Sequence, residues 1–243
     1  RPWSYRQNAL VKSLITIAAG VASAFVGTFA HRMGAELNIP YGLVLAFLLI
    51  GLSTWCARSR MGAVGLALHL IASSLTAWGM ALLLRLQPMD FLPLGLPVWA
   101  RILLRLAMSF CGVFGFSLMF NSPVKLASVA AVIGAISNTL RLELVSLAGF
   151  PPAAAAFFGA LTAGLLASLY KRRSGYPRIT ITVPSIVIMV PGLYFYRAVY
   201  DLGTMNLSDS ASWLAASLLI VIALPLGLIC ARILTDGSFR RCT

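Results

Sequence analysis

The chain has 243 residues, of which 60% are hydrophobic and 10% charged, against about 25% charged in an ordinary soluble domain. With a mean hydropathy of +0.91, this balance excludes a soluble globular or disordered chain and leaves a polytopic membrane protein. Lys and Arg outnumber Asp and Glu by 19 to 6. In a soluble protein that excess would point to nucleic acid. Here most of it lies in short loops between apolar runs, where it orients the chain in a bilayer, and no nucleic-acid partner is expected. The first residue is Arg1, so the numbering is open to an earlier start in a longer chain. A basic start followed by an apolar run ending in Thr28-Phe29-Ala30 imitates a signal peptide, but the run is long enough to span and further spans follow it.

Eight apolar segments of membrane-spanning length follow one another at about 11–30, 41–57, 62–84, 100–120, 124–142, 152–170, 183–200 and 211–234. The expected fold is therefore all-α, with about eight transmembrane helices. A loop from Arg85 to Pro97, carrying Pro88, Asp90 and Pro93, separates three spans from five. We accordingly expect a three-span region over 1–98 and a five-span membrane domain over 99–243. With a cytoplasmic N-terminus, the inner segments hold thirteen of the 19 basic residues and the outer ones six, so the positive-inside rule places both termini in the cytoplasm. Arg101 and Arg105 fit this least well, because they extend into the fourth span from its outer side. They either snorkel outward or line a polar vestibule.

Few residues in these spans are able to carry chemistry. His69 lies in the third span with Ser73 one turn on, which suits either a proton relay or a helix-to-helix hydrogen bond. In the fifth span, Asn138 and Arg141 share a helical face, with Glu143 close by. They either hold a zwitterionic solute or its coupled proton, or merely end the helix at the surface. The sixth span places Ala156, Ala160, Gly164 and Ser168 at intervals of four, a spacing that lets helices approach closely, within the chain or across a dimer. Cys56, Cys111 and Cys230 read as small buried hydrophobes, and neither disulfides, metal nor cofactor is expected. No zincin, nucleophile-elbow or P-loop motif is present, so an enzyme is not expected.

The seventh span, from Arg178 to Asp201, is the most informative. It contains Ser185 directly after Pro184, then Pro191-Gly192, then Tyr196 and Arg197. Internal prolines remove backbone hydrogen bonds, so a helix break is expected at Pro184 and Pro191. Broken backbone persists at membrane depth only where protein or a water-filled cavity satisfies it. A half-helix restarting after Pro191 presents free N–H groups and a positive dipole end, which suits a carboxylate.

Three stretches carry a resemblance to a known family: GFSLMFNSPVKL, with Phe120, Asn121, Pro123 and Lys125; GAISNTLRL, with Gly134 and Arg141; and VPSIVIMVPGLYFYRAVYDL, with Val183-Pro184, Val190-Pro191-Gly192, Tyr196 and Arg197. Residues from about 99 to 232 resemble the C-terminal half of the threonine/serine exporter family. Residues 1–98 lie outside the resemblance. It implies a carrier of the bacterial inner membrane that exports small hydroxy amino acids and uses the proton gradient, either with a second transporter subunit or as a homo-oligomer. On this reading Asn138, Ser185, Pro191, Gly192, Tyr196 and Arg197 are candidates for substrate binding, and Glu143 and His69 for proton coupling. The alternatives are a non-transporting accessory subunit of a membrane complex and an intramembrane enzyme on lipid or isoprenoid substrates. The enzyme would need clustered acids or histidines that the six acidic residues, all near span ends or in loops, do not supply.

Overall fold

The computed structural model describes residues 2–34, 41–86, 95–119, 122–174, 177–237 and 239. Several sequence features therefore lie outside the described residues: Pro88, Asp90 and Pro93 of the long loop, Phe120 and Asn121 of the family resemblance, and Arg1, Arg240, Arg241 and Cys242 at the ends. The described residues form helices joined by turns and short irregular segments, with no strand among them. They fall into two compact units, one of residues 1–94 with 203–205, the other of 95–202 with 206–243.

The first unit holds α1 (Ala9–Ala30) and α2 (Tyr41–Leu83), preceded by a short 3-10 turn at Trp3–Tyr5. Asn8 caps α1, its side chain accepting from the Val11 N–H at 2.9 Å. At 43 residues α2 is far too long for one crossing of a ~30 Å hydrocarbon core. It is in fact two helices joined at Gly62, whose φ of 64° and ψ of −141° only glycine adopts without strain. His69 reaches Ser53 at 2.8 Å and Thr54 at 3.2 Å. In one straight helix those residues would lie about 24 Å apart. A Cβ on Gly65 would stand 2.3 Å from the Ala57 carbonyl oxygen. The pairs 57/65 and 53/69 are centred on the same residue, so the arms 41–61 and 63–83 form an antiparallel hairpin. α1 lies against both arms: a Cβ on Gly20 would stand 2.9 Å from the His69 carbonyl, and one on Gly27 would meet Ile50 at 3.5 Å.

The second unit comprises α3 (Val98–Met119), α4 (Val124–Ser146), α5 (Pro152–Ser174), α6 (Ile179–Val187), α7 (Gly192–Gly203) and α8 (Leu207–Thr235). Its centre is α4, which packs on α3, α5 and α6. The reason is size: Ala127, Ala130, Ala131, Gly134 and Ala135 are buried, and a Cβ on Gly134 would meet Val113 of α3 at 2.7 Å and the Ser185 carbonyl of α6 at 2.9 Å. The small-residue stripe of α5 serves packing within the chain, against α8. There a Cβ on Gly164 would stand 2.5 Å from Ala231, and one on Gly227 would stand 2.5 Å from the Phe157 carbonyl.

Among the described residues six helices are long and apolar enough to cross a membrane, and α6 with α7, bent by 46°, counts as a seventh when the bent pair is taken as one span. Division of α2 at Gly62 brings the described spans to eight. Both units are apolar outside and small or polar inside: Phe47 is 70% and Trp55 74% exposed, whereas Thr16 and His69 are fully buried. A soluble protein does not expose apolar surface on this scale, but lipid solvates it.

Two expectations need correction. Cys56 and Cys111 are exposed, and Cys230 is partly so, rather than buried; an apolar outer solvent removes any need to turn a thiol inward. The seventh span breaks at 188–191, beside Pro191, while Pro184 lies inside α6. Pro184 forfeits one backbone bond there. α6 is held past that point by the Ser185 hydroxyl, which lies 2.7 Å from the Ile181 carbonyl and 3.0 Å from the Ala130 carbonyl of α4.

Candidate functional site

In the C-terminal part of α4 the buried Ser137, Asn138 and Thr139 adjoin Arg141 and Glu143. Asn138, buried, donates from Nδ2 to Ser109 Oγ of α3 at 2.8 Å and accepts from Arg141 Nε at 3.0 Å. This chain of bonds fixes both the amide and the stem of the guanidinium. Glu143 sits two residues beyond Arg141, roughly 200° round the helix, and so faces elsewhere. Its carboxylate accepts from Arg105 at 2.7 Å and from Arg101 at 3.4 Å, both on α3. The two arginines that extended into the fourth span are thus held by this acid rather than snorkelling away from it. Ser146 adds to the cluster, accepting from Arg105 at 2.8 Å. α4 continues as helix to Ser146, so neither Arg141 nor Glu143 ends it.

Arg141 is next to the break in the seventh span. A Cβ built on Gly159 of α5 would meet Met189 Sδ at 3.1 Å, Arg141 Cβ at 3.2 Å and the Ser137 carbonyl at 3.2 Å. The absent side chain of Gly159 is what lets the Arg141 stem and the interrupted backbone share this space. Two hydroxyls of the same stretch, Ser137 Oγ and Thr139 Oγ1, are buried without a hydrogen-bond partner.

At the break itself, the Gly192 N–H bonds back to the Val190 carbonyl at 2.8 Å, and the first helical bond of α7 runs from Phe195 N–H to the Pro191 carbonyl at 3.0 Å. Leu193 and Tyr194 therefore begin the helix with N–H groups that have no intrahelical acceptor. Pro184 and Pro191 are both buried, but Gly192 is exposed, and a Cβ on it would meet nothing within 4 Å. Tyr196 is exposed and stacks on Tyr200 at 6.4 Å, and Arg197 lies over the Trp213 ring of α8 at 4.9 Å. Ser185, by contrast, has its hydroxyl committed to backbone carbonyls of α4 and α6.

His69 belongs to the first unit, where it is fully buried and bonded between helices. Nε2 lies 2.8 Å from Ser53 Oγ and 3.5 Å from Ser23 Oγ, and Nδ1 lies 3.2 Å from Thr54 Oγ1. Ser73, the neighbour suggested by spacing, bonds instead to the Leu70 carbonyl. At the far end of the second unit, Arg178 donates to Ser168 of α5 and Thr235 of α8. Burial lowers its guanidinium pKa from the ordinary value, Asp236 opposes that shift and Arg232 adds to it.

Residues 105–234, just over half of the chain, match the family described as "Threonine/Serine exporter, ThrE". The chain belongs to the threonine/serine exporter family. The match takes in α4, the broken span and all of the α5–α8 packing, whereas the first unit lies outside it apart from 203–205. The family membership makes this a multi-pass membrane protein of the threonine/serine exporter type. A protein of Haemophilus influenzae bearing no functional description is 32% identical over 89 residues, covering 36% of this chain and 29% of that relative. The matched stretch is thus less than a third of the relative's length. No solved structure matches.

The break beside Pro191 was expected from the sequence, and Asn138 was singled out there as a candidate. Less weight went to Arg141, although an intramembrane arginine whose nearest acid is two residues away, on another face, was visible in the sequence. The partners of Glu143 were not visible, because nothing in the order of residues says which turn of α3 faces which turn of α4.

Proposed function

We propose that this chain is a transport subunit that exports small hydroxy amino acids, threonine and serine, across the bacterial inner membrane with both termini in the cytoplasm. The observation that carries this reading is the interrupted seventh span packed against the polar turns of α4, within the family-matched region. α6 has nine residues, about 13 Å of rise, so α7 would start roughly half-way through a ~30 Å core. Half-helix starts at the midplane are where secondary carriers hold anionic substrate groups, with alternating access around them. The N–H groups after Pro191 and Gly192 would receive the substrate carboxylate. Asn138 would contact the ammonium or hydroxyl, Tyr196 and Arg197 would border the path, and Ser185 would hold α6 on α4.

The proton gradient is the proposed driving force. Of its two candidate carriers, Glu143 is held between two guanidinium groups. His69 faces three hydroxyls and can take or release a proton without losing a hydrogen bond, because each hydroxyl both donates and accepts. A second subunit or a homo-oligomer would complete the carrier. The accessory-subunit reading keeps one observation in its favour, the three-span unit outside the family match. Reconstitution separates the readings: efflux restored by a co-expressed partner marks a half-carrier, and no effect on any efflux marks the accessory.

Gly192→Leu tests the site. A side chain there enters open space, so packing is undisturbed while the start of α7 is covered. Threonine export should be abolished with the protein still in the membrane. Unchanged export would overturn the assignment.

A further inference from the structure

The α3–α4 pair carries three guanidinium groups, those of Arg101, Arg105 and Arg141, and one acid, Glu143. Arg101 and Arg105 take that acid. Among the described residues Arg141 has no ion pair; its one hydrogen bond there, from Nε to Asn138, uses the edge of the guanidinium nearest the stem. Both terminal nitrogens are left to bind something else. A partly buried guanidinium costs free energy unless it meets an anion, and its planar fork suits a carboxylate in a bidentate arrangement. The anchoring is directional: Ser109 holds Asn138, Asn138 holds Nε, and Gly159 leaves room for the stem beside Met189 at the break.

From this geometry we infer that Arg141 is the residue that binds the α-carboxylate of the transported amino acid, with Asn138 as its positioning residue and Gly159 as the gap that admits it to the break. The inference rests on the transport reading above and deepens it, because it makes the carboxylate, rather than the side-chain hydroxyl, the obligatory feature of the substrate. Threonine is recognised on the α4 side of the break by a charge-assisted pair, and the α7 N-terminus adds weaker N–H contacts to the same group. Lysine, a point charge without the fork, substitutes incompletely.

The test is equilibrium binding of labelled threonine to the full chain in lipid nanodiscs, competed with threonine and with threoninol, in which the carboxylate is replaced by a hydroxymethyl group. In the wild type, threoninol should compete about 100-fold less well than threonine, the order expected for one charge-assisted bidentate contact. Arg141→Gln should weaken threonine by about 100-fold and leave threoninol unchanged. Arg141→Lys should recover part of the threonine affinity and none of the threoninol. Equal loss of both ligands in Arg141→Gln, or threonine binding at wild-type strength, overturns the inference while leaving the transport reading intact. A wild-type chain that binds no hydroxy amino acid overturns the reading and the inference together.

Discussion

Replacing Gly227 by alanine adds one methyl group where α8 crosses α5. The new Cβ would stand 2.5 Å from the Phe157 carbonyl oxygen, 2.9 Å from Ala160 Cβ and 2.9 Å from the Leu161 nitrogen. Two of these three atoms are backbone, so no rotamer change relieves the contact. An ordinary separation of ~3.5 Å requires the helices to part by roughly 1 Å along this seam. Overpacking of this kind costs about 1–3 kcal/mol. Gly→Ala in a helix otherwise gains about 1 kcal/mol from propensity, and Gly51 supplies the control, since a Cβ there meets nothing within 4 Å. Thermal unfolding of the purified protein in detergent should therefore rank Gly51→Ala at or above wild type and Gly227→Ala clearly below it. If both variants melt together, the α5–α8 crossing is not as close as described.

Glu143→Gln leaves Arg101 and Arg105 facing each other without their acid. Loss of one partner from a buried pair costs about 3–5 kcal/mol, but these arginines are 33% and 26% exposed, so solvent reduces the expected loss to about 1–2 kcal/mol. A double-mutant cycle with Arg105→Gln should show coupling, and strictly additive effects would contradict the ion pair. For the hairpin at Gly62, Gly65→Ala puts a Cβ 2.3 Å from the Ala57 carbonyl oxygen, whereas one on Gly79 meets nothing within 4 Å. Thermal unfolding should therefore place Gly65→Ala below wild type and Gly79→Ala not below it. Equal melting of the two would mean that α2 does not fold back there.

The spans were legible because hydropathy and length are imposed by the bilayer, and all eight expected segments have helical counterparts. The division between the second and third spans was expected at 58–61, and the reversal falls one residue on, at Gly62, which was assigned to the start of the third span. Pro191 breaks the seventh span where a proline followed by glycine suggested it would. The facing of each helix was less legible. Lipid is as apolar as a packed interior, so hydropathy does not tell an inward residue from an outward one, and Cys56 and Cys111 were placed on the wrong side. Pro184 and Pro191 looked equivalent in sequence. The difference between them is tertiary, since Ser185 ties α6 to α4 just after the first proline, while Gly192, just after the second, has no side chain to do so. Spacing associated His69 with Ser73, but its partners lie on the facing arm and on α1, which no count along a single helix reveals.

Export itself is the most direct test of the central claim. Bacteria loaded with labelled threonine or serine, with and without expression of this chain, are followed for efflux before and after the pH gradient is collapsed. Efflux of both amino acids should be faster when the chain is expressed, alone or with its partner subunit, and this gain should be lost on collapse of the gradient and in Gly192→Leu. Efflux that is the same with and without the chain, with the partner co-expressed as well, would contradict the export reading.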